Sequence, residues 1–258
     1  MGRYLGQHFL TNKAVIKKII AAIEIEAADT IIEIGPGRGA LTIPLAKKCG
    51  ELNCKIIAIE KDSRLIENTK HQASGDVNFV VGDALKILPE LVSRYPLLDT
   101  KYKLIGNIPY YITGKLLRTI GELKNKPSLT VLTIQKEVAE RICAKSGEMN
   151  LLAASIQVWA TPKILFILKP NDFLPPPKVN SAVIRLKTDA PRLKNEKYYE
   201  IIKVVFRQPR KTLLNNLVKG LKISKEKGQK LIKWLGYKEN ARPQDLTVKN
   251  LLNLSEVL

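Results

Sequence analysis

The chain has 258 residues, 45% hydrophobic and 26% charged, an ordinary soluble composition long enough for one large domain or a larger and a smaller one. A formal net charge of +19 favours a polyanionic partner, with nucleic acid ahead of an anionic membrane because no basic helix with an aromatic apolar face stands out. Three cysteines without a Cys-x-x-Cys pair and two histidines exclude a disulfide framework or metal centre, and with neither a long apolar run nor a secretory signal a cytoplasmic protein off the membrane is expected.

Val15, Ile16, Ile19, Ile20 and Ile23 recur at helical spacing, which predicts an amphipathic helix over 12–25. Thr30–Ile34 is a β-branched strand opening into Gly35-Pro-Gly-Arg-Gly39, and Ala40–Cys49 reads as helix. Lys55–Ile59 is the next strand, ending in Glu60, with Ser63 as cap of a helix over 63–72. Val77–Val81, Tyr102–Ile105 and Leu129–Ile134 continue the strands, with helices at 113–123, 136–144 and 151–158. Such alternation implies βαβ units and a mainly parallel, doubly wound sheet.

Lys163–Leu168 and Ser181–Leu186 read as two more strands, joined by a proline-rich link, Lys169–Lys178, that can be neither helix nor central strand. From Pro191 strand signals stop and helical patches follow at 196–206, 210–219, 225–235 and 247–254. We therefore expect a first domain over 1–187 and a small helical one over 188–258. Between Lys194 and Lys233 twelve Lys/Arg face three acids (Glu196, Glu200 and Glu226), so the basic surplus is concentrated there.

In an open α/β sheet ligands bind outside the carboxyl ends of the strands, and these ends carry chemistry. The Gly35–Gly39 run lets backbone approach a ligand closely. Glu60 can accept from ribose hydroxyls and Asp83 from the exocyclic amine of adenine, although acids at such places also cap helices. Asn107, Pro109 and Tyr110 suit a flat ring bearing an amine: an amide oxygen accepts, a proline stiffens the turn and an aromatic face stacks. Gly35, Gly37 and Ala40 also satisfy G-x-G-x-x-A, so a nicotinamide dehydrogenase is one reading. S-adenosylmethionine is the other, and the Asp83 and Asn107 turns are more than a dinucleotide needs.

Gly6-Gln-His-Phe-Leu10, Glu33-Ile-Gly-Pro-Gly37, Gly82-Asp-Ala84, Gly106-Asn-Ile-Pro-Tyr110 and Phe173-Leu-Pro-Pro-Pro-Lys-Val-Asn-Ser181 occur in one order. Together they resemble the rRNA adenine N6,N6-dimethyltransferase family over nearly the whole chain. Two branches share these motifs: a KsgA type that modifies small-subunit rRNA and an Erm type that modifies large-subunit rRNA. Val205–Asn216 and Ala241–Leu246 resemble the KsgA branch more closely. His8 stands where many relatives carry Asn, and Pro209 where Arg is common, which thins the basic motif by one charge.

The resemblance implies a Rossmann-like class I methyltransferase domain followed by a helical RNA-binding domain, with S-adenosylmethionine as methyl donor and no metal. His8 and Leu10 would cover the cofactor, Gly35 would lie along its methionine part, and Glu60 and Asp83 would hold ribose and adenine. Asn107 and a carbonyl near Ile108 would accept from N6 of the target adenine, Tyr110 would stack on it, and Phe173 would either close the other face or lie in the core. Arg207, Arg210 and Lys211 would meet RNA phosphates. The expected activity is dimethylation of two adjacent adenosines near the 3′ end of small-subunit rRNA, in an assembling subunit, by a monomer. A large-subunit target and a non-catalytic RNA-binding assembly factor are the alternatives.

Overall fold

The computed structural model describes residues 7–73, 75–94, 101–188 and 197–258. Gly6 of the N-terminal motif, and Pro191, Lys194 and Glu196 after the expected boundary, lie outside the described residues. Two compact units are present, one of residues 1–139 with 162–188 and the other of 140–161 with 189–258. The helix expected near 151–158 thus falls in the second unit.

In the first unit β1 (Phe9–Leu10) leads into α1 (Lys13–Ala22), whose start is capped by Asn12 Oδ1 accepting from Ala14 N at 3.0 Å. Then β2 (Thr30–Ile34), α2 (Thr42–Leu52), β3 (Lys55–Glu60), α3 (Ser63–Lys70), β4 (Val77–Val81) and α4 (Ala84–Arg94) follow in turn. The cap of α3 is Asp62, whose Oδ1 accepts from Arg64 N at 3.1 Å; Ser63, expected as the cap, is the first helical residue. The sequence did not announce α4, because Pro89 lies inside it and lacks an N–H for the i−4 carbonyl. Next come β5 (Tyr102–Asn107), α5 (Thr113–Glu122), β6 (Leu129–Gln135), α6 (Lys136–Ile142), α7 (Leu151–Gln157), β7 (Ala160–Leu168), β8 (Phe173–Leu174) and β9 (Ser181–Thr188).

Seven strands form one sheet in the order β4-β3-β2-β5-β6-β9-β7, and β1 pairs antiparallel with β8 apart from it. The first five are parallel and β9 runs antiparallel to β6, so the core is a Rossmann-like α/β sheet of mixed direction. Ile31, Ile32, Ile56, Leu104, Ile105, Val131 and Leu132 are all buried, the β-branched-rich pattern of strands covered on both faces. The strand order reverses between β2 and β5, the place where such sheets open a crevice.

The second unit is helical, with α7 joined by α8 (Lys197–Val205), α9 (Leu213–Leu221), α10 (Lys225–Trp234) and α11 (Val248–Val257). Tyr198, Ile201, Leu213, Leu217, Leu251 and Leu254 fill its interior, where Tyr198 Oη donates to Ala154 O at 3.0 Å. Thr212, Ser224 and Thr247 cap α9, α10 and α11. Among the described residues no helix is long and apolar enough to cross a membrane.

At the far end of the sheet from the crevice, Lys103 Nζ meets Asp29 Oδ2 at 2.8 Å and also donates to Glu24 O, with both side chains buried. Removing one member of such a pair strands the other charge, at a cost of about 3–5 kcal/mol. Lys103→Met should therefore lower stability by several kcal/mol in urea unfolding, and Asp29→Asn added to it should restore part of the loss. A Lys103→Met protein of unchanged midpoint would show that the pair contributes nothing.

Candidate active site

Parallel register brings the ends of β2, β3, β4 and β5 level, with β6 alongside: Ile34 lies opposite Ile59 and Gly106, Glu60 opposite Val81, and Asn107 opposite Thr133. Beside Ile34 runs the loop Gly35–Leu41, in which Gly37 has φ +57° and a Cβ would lie 3.0 Å from Phe9 Cε1. Only glycine both takes that backbone readily and lets the Phe9 ring rest on it. The Arg38 guanidinium covers the same ring at 4.6 Å, so the arm carrying β1 is held over the loop.

Glu60 is clasped by backbone. Its Oε2 accepts from Gly37 N at 3.0 Å, and its Oε1 from Lys61 N at 2.8 Å and Asp62 N at 3.0 Å. A carboxylate offers about four acceptor positions, so the side chain is oriented and still has capacity for a ligand hydroxyl. Asp83 accepts from Leu85 N at 3.0 Å and from Lys61 Nζ at 3.2 Å. The Leu85 N–H first, and then the Lys61 ammonium, hold its carboxyl below the usual range despite some desolvation, so it stays ionised.

Glu33, inside β2, is the opposite case at 1% exposure. Burial pushes its carboxyl up to about 8, the Thr42 hydroxyl pulls the other way and the Glu60 charge adds to the rise. Its Oε2 has no hydrogen-bond partner although it lines the crevice. The sequence carried a sign of this, an acid within an otherwise apolar strand, but the sequence reading gave it no role.

Asn107 Nδ2 donates to His8 O at 2.7 Å, which turns Oδ1 away as the free acceptor. The His8 ring lies 5.7 Å from that of Tyr110 at an interplanar angle of 30°, and its Nδ1 is 2.7 Å from Pro175 O. Tyr110 Oη pairs with Ser181 Oγ at 2.7 Å, and burial pushes this phenol above its usual range against the pull of Ser181. The contacts of Asn107 and Tyr110 with His8 and of Tyr110 with Ser181 tie the 107–110 turn to remote segments, so the turn is held from outside.

A cavity of about 270 Å³ is lined by His8, Leu10, Gly35, Glu60, Asp83, Asn107, Pro109 and Tyr110 together. Phe173 is not brought to it: the ring is 4% exposed, in the core, on β8 opposite Leu10. Residues the sequence reading missed also line the cavity, namely Glu33, Arg38, Lys61, Lys115 and Tyr111, the last 59% exposed. Nothing local separates Tyr111 from Tyr110 in sequence; only the turn decides which ring faces solvent. Among the described residues no group of three or more His, Cys, Asp or Glu could hold a metal ion.

In the second unit, Arg207, Arg210 and Lys211 are exposed in the turn between α8 and α9. The buried Asn216 holds that turn: Oδ1 accepts from Gln208 N at 3.0 Å and Nδ2 donates to Gln208 O and Thr212 O at 3.1 Å. A fully satisfied buried amide makes the basic turn a formed feature of the fold.

A family model described as ribosomal RNA adenine dimethylase matches residues 2–258. A protein named ribosomal RNA small subunit methyltransferase A from Dehalococcoides mccartyi is 38% identical over 251 residues, 95% of this chain and 84% of its own. One of the same name from Clostridium acetobutylicum is 37% identical, over 98% of this chain and 91% of its own. Among solved structures, a dimethyladenosine transferase from Plasmodium falciparum superposes with a TM-score of 0.79 at 24% identity, covering 96% of both chains. The 23S rRNA methyltransferase ErmE superposes with a TM-score of 0.74 at 22% identity, covering 96% of this chain and 98% of its own.

The buried acid has a measurable consequence. A carboxyl at about 8 in the folded chain, against an ordinary 4.5, takes up a proton on folding throughout the window between these values. The folded state then binds more protons than the unfolded one, so stability is highest below the window and declines as pH rises through it. In urea unfolding without ligand, Glu33→Gln should flatten the loss of stability between mildly acidic and mildly alkaline pH. Equal slopes for the two proteins would mean that Glu33 is ionised in the fold.

Proposed function

The chain belongs to the ribosomal RNA adenine dimethylase family, and we propose that it dimethylates N6 of two adjacent adenosines near the 3′ end of small-subunit rRNA in an assembling subunit. It is an S-adenosylmethionine-dependent N6-adenine dimethyltransferase of 16S rRNA. The observation that carries the site reading is the one cavity joining Glu60 and Asp83 to Asn107 and Tyr110. The relatives named for the small-subunit enzyme support that target, whereas the shared fold of the 23S enzyme speaks only of architecture. In this reading the protein works in the cytoplasm as a monomer.

The residues present fit the cofactor: Glu33 Oε2 is an orphaned buried acceptor, Glu60 has acceptor capacity left, and Asp83 is ionised at the crevice edge. Glu33, Gly35, Glu60 and Asp83 would hold it, with His8 and Leu10 covering it. When bound it supplies an electrophilic methyl group on a sulfonium.

The chemical difficulty lies in the target, because the lone pair of an aryl amine is delocalised into the ring. Asn107 Oδ1 and the backbone carbonyl at Ile108 accept from the two N6 hydrogens and so aim the lone pair, which makes positioning the main source of rate. Pro109 stiffens the turn and Tyr110 gives a stacking face. Phe173 backs Leu10 and thereby the arm that caps the site. The N6 proton is acidic once the methyl is attached and leaves to water, so no dedicated base is required.

Purified protein with labelled cofactor and unmodified small and large subunits in parallel should yield dimethyladenosine in small-subunit RNA alone. Label in large-subunit RNA would move the protein to the other branch. Asn107→Ala should reduce transfer to near background with cofactor affinity roughly kept. Asn107→Asp should be as inactive, because an acceptor then faces His8 O; near-normal turnover in either variant would remove Asn107 from the mechanism. Arg207→Ala, Arg210→Ala and Lys211→Ala together should weaken RNA binding and lower its salt slope by about two to three. An unchanged slope would return these side chains to the solvated surface.

A further inference from the structure

One helix of the second unit presents a surface that the catalytic account leaves unused. On α10, Lys227, Lys230 and Trp234 stand at i, i+3 and i+7, so they share one face. All three are exposed, Trp234 at 54%. A rise of 1.5 Å per residue spaces the two lysines about 6 and 10.5 Å from the indole along the axis. Among the described residues neither lysine makes an ion pair.

The opposite face fixes how this one is presented. Gly228 and Ile232 are buried, and a Cβ on Gly228 would come within 2.8 Å of Leu214 Cδ1 and 3.0 Å of Val218 Cγ2 of α9. The helices therefore touch closely there, and α10 cannot roll to hide its indole. Ser224 Oγ accepts from Lys227 N at 3.2 Å at one end, and Gly236, at φ +82°, closes the other. Of the nearby acids, Glu239 is engaged by Gln229 Nε2 at 2.9 Å, while Glu226 flanks the face in the first turn.

An exposed indole forgoes the burial that such a side chain ordinarily gains. A flat aromatic with two cations along one face, in a chain of net charge +19, matches an unpaired nucleotide better than an apolar partner. We propose that Trp234, Lys227 and Lys230 form a platform for single-stranded RNA: the indole stacks on one unpaired base and the ammonium groups meet the flanking phosphates. A duplex offers no free base face, so the platform selects unpaired segments of the same rRNA, where Arg207, Arg210 and Lys211 contact backbone of either form. This rests on the reading of the second unit as RNA-binding.

The chain's two tryptophans allow a direct test, since Trp159 is 3% exposed and Trp234 is open to solvent. The full-length protein is titrated with a short unstructured RNA and with the same strand annealed to its complement. The single strand should quench indole emission and shield it from iodide. Trp234→Leu should bind the single strand roughly ten-fold more weakly, Trp234→Phe should recover most of that loss, and duplex affinity should not change. Lys227→Ala with Lys230→Ala should lower the single-strand salt slope by about 1.4. Equal affinities of wild type and Trp234→Leu for the single strand, or an equal loss on the duplex, would overturn the platform. So would a shift of indole emission with anionic phospholipid vesicles or an acidic peptide but not with RNA. Dimethyladenosine formation by the wild-type protein, scored separately, tells failure of the platform from failure of the enzymatic reading.

Discussion

The site depends on how closely two strands meet where the sheet changes direction. A Cβ on Gly106 would lie 2.6 Å from Ile34 O and 2.7 Å from Ile108 Cδ1, so no larger residue fits between β2 and β5. This contact brings the glycine loop after Ile34 and the Asn107 turn to one crevice, although they lie far apart in sequence. It also explains why Gly106 precedes Asn107 without a positive φ: the need is for space, not for a special backbone. The remaining contacts of the turn, to His8, Thr133 and Ser181, refine a position that this approach already sets.

Three acids of neighbouring strands meet this crevice in different surroundings. Glu60 is met by three backbone N–H groups and Asp83 by one N–H and an ammonium, whereas Glu33 faces an apolar interior and the Glu60 carboxylate. A crevice with three carboxylates thus need not hold three charges. Keeping one neutral limits repulsion while the crevice is unfilled, and it leaves an acceptor that a cationic ligand can ionise. In the reading proposed above, the same crevice would tolerate the positive charge of the cofactor's sulfonium.

Much of this was legible in sequence because its causes are local. Thr30–Ile34, Lys55–Ile59 and Val77–Val81 announce strands by β-branched runs, and each ends in a glycine or an acid that marks the crevice. What was not legible is held by distant partners. The pairing of Phe9 with Leu174 and of Leu10 with Phe173 joins the two ends of the first unit, and it buries the Phe173 ring that its motif alone leaves undecided. Helix α4 was hidden by Pro89, and the capping role of Asp62 by the more familiar signal of Ser63. Tyr111 could not be separated from Tyr110 because orientation in a tight turn depends on the next contact, here Tyr110 with Ser181.

In the reading proposed above, the two units apply different physics to the same substrate. The first would read a single base through a few oriented acceptors and an aromatic face, which gives chemical selectivity but little reach. The second carries the cations of a buried-amide-supported turn and of α10, which in that reading would act on backbone charge and weaken as salt rises. Charge alone cannot choose one adenosine among many, and one base pocket cannot hold a large RNA against thermal motion. Affinity set by phosphates and choice set by the pocket are therefore separable.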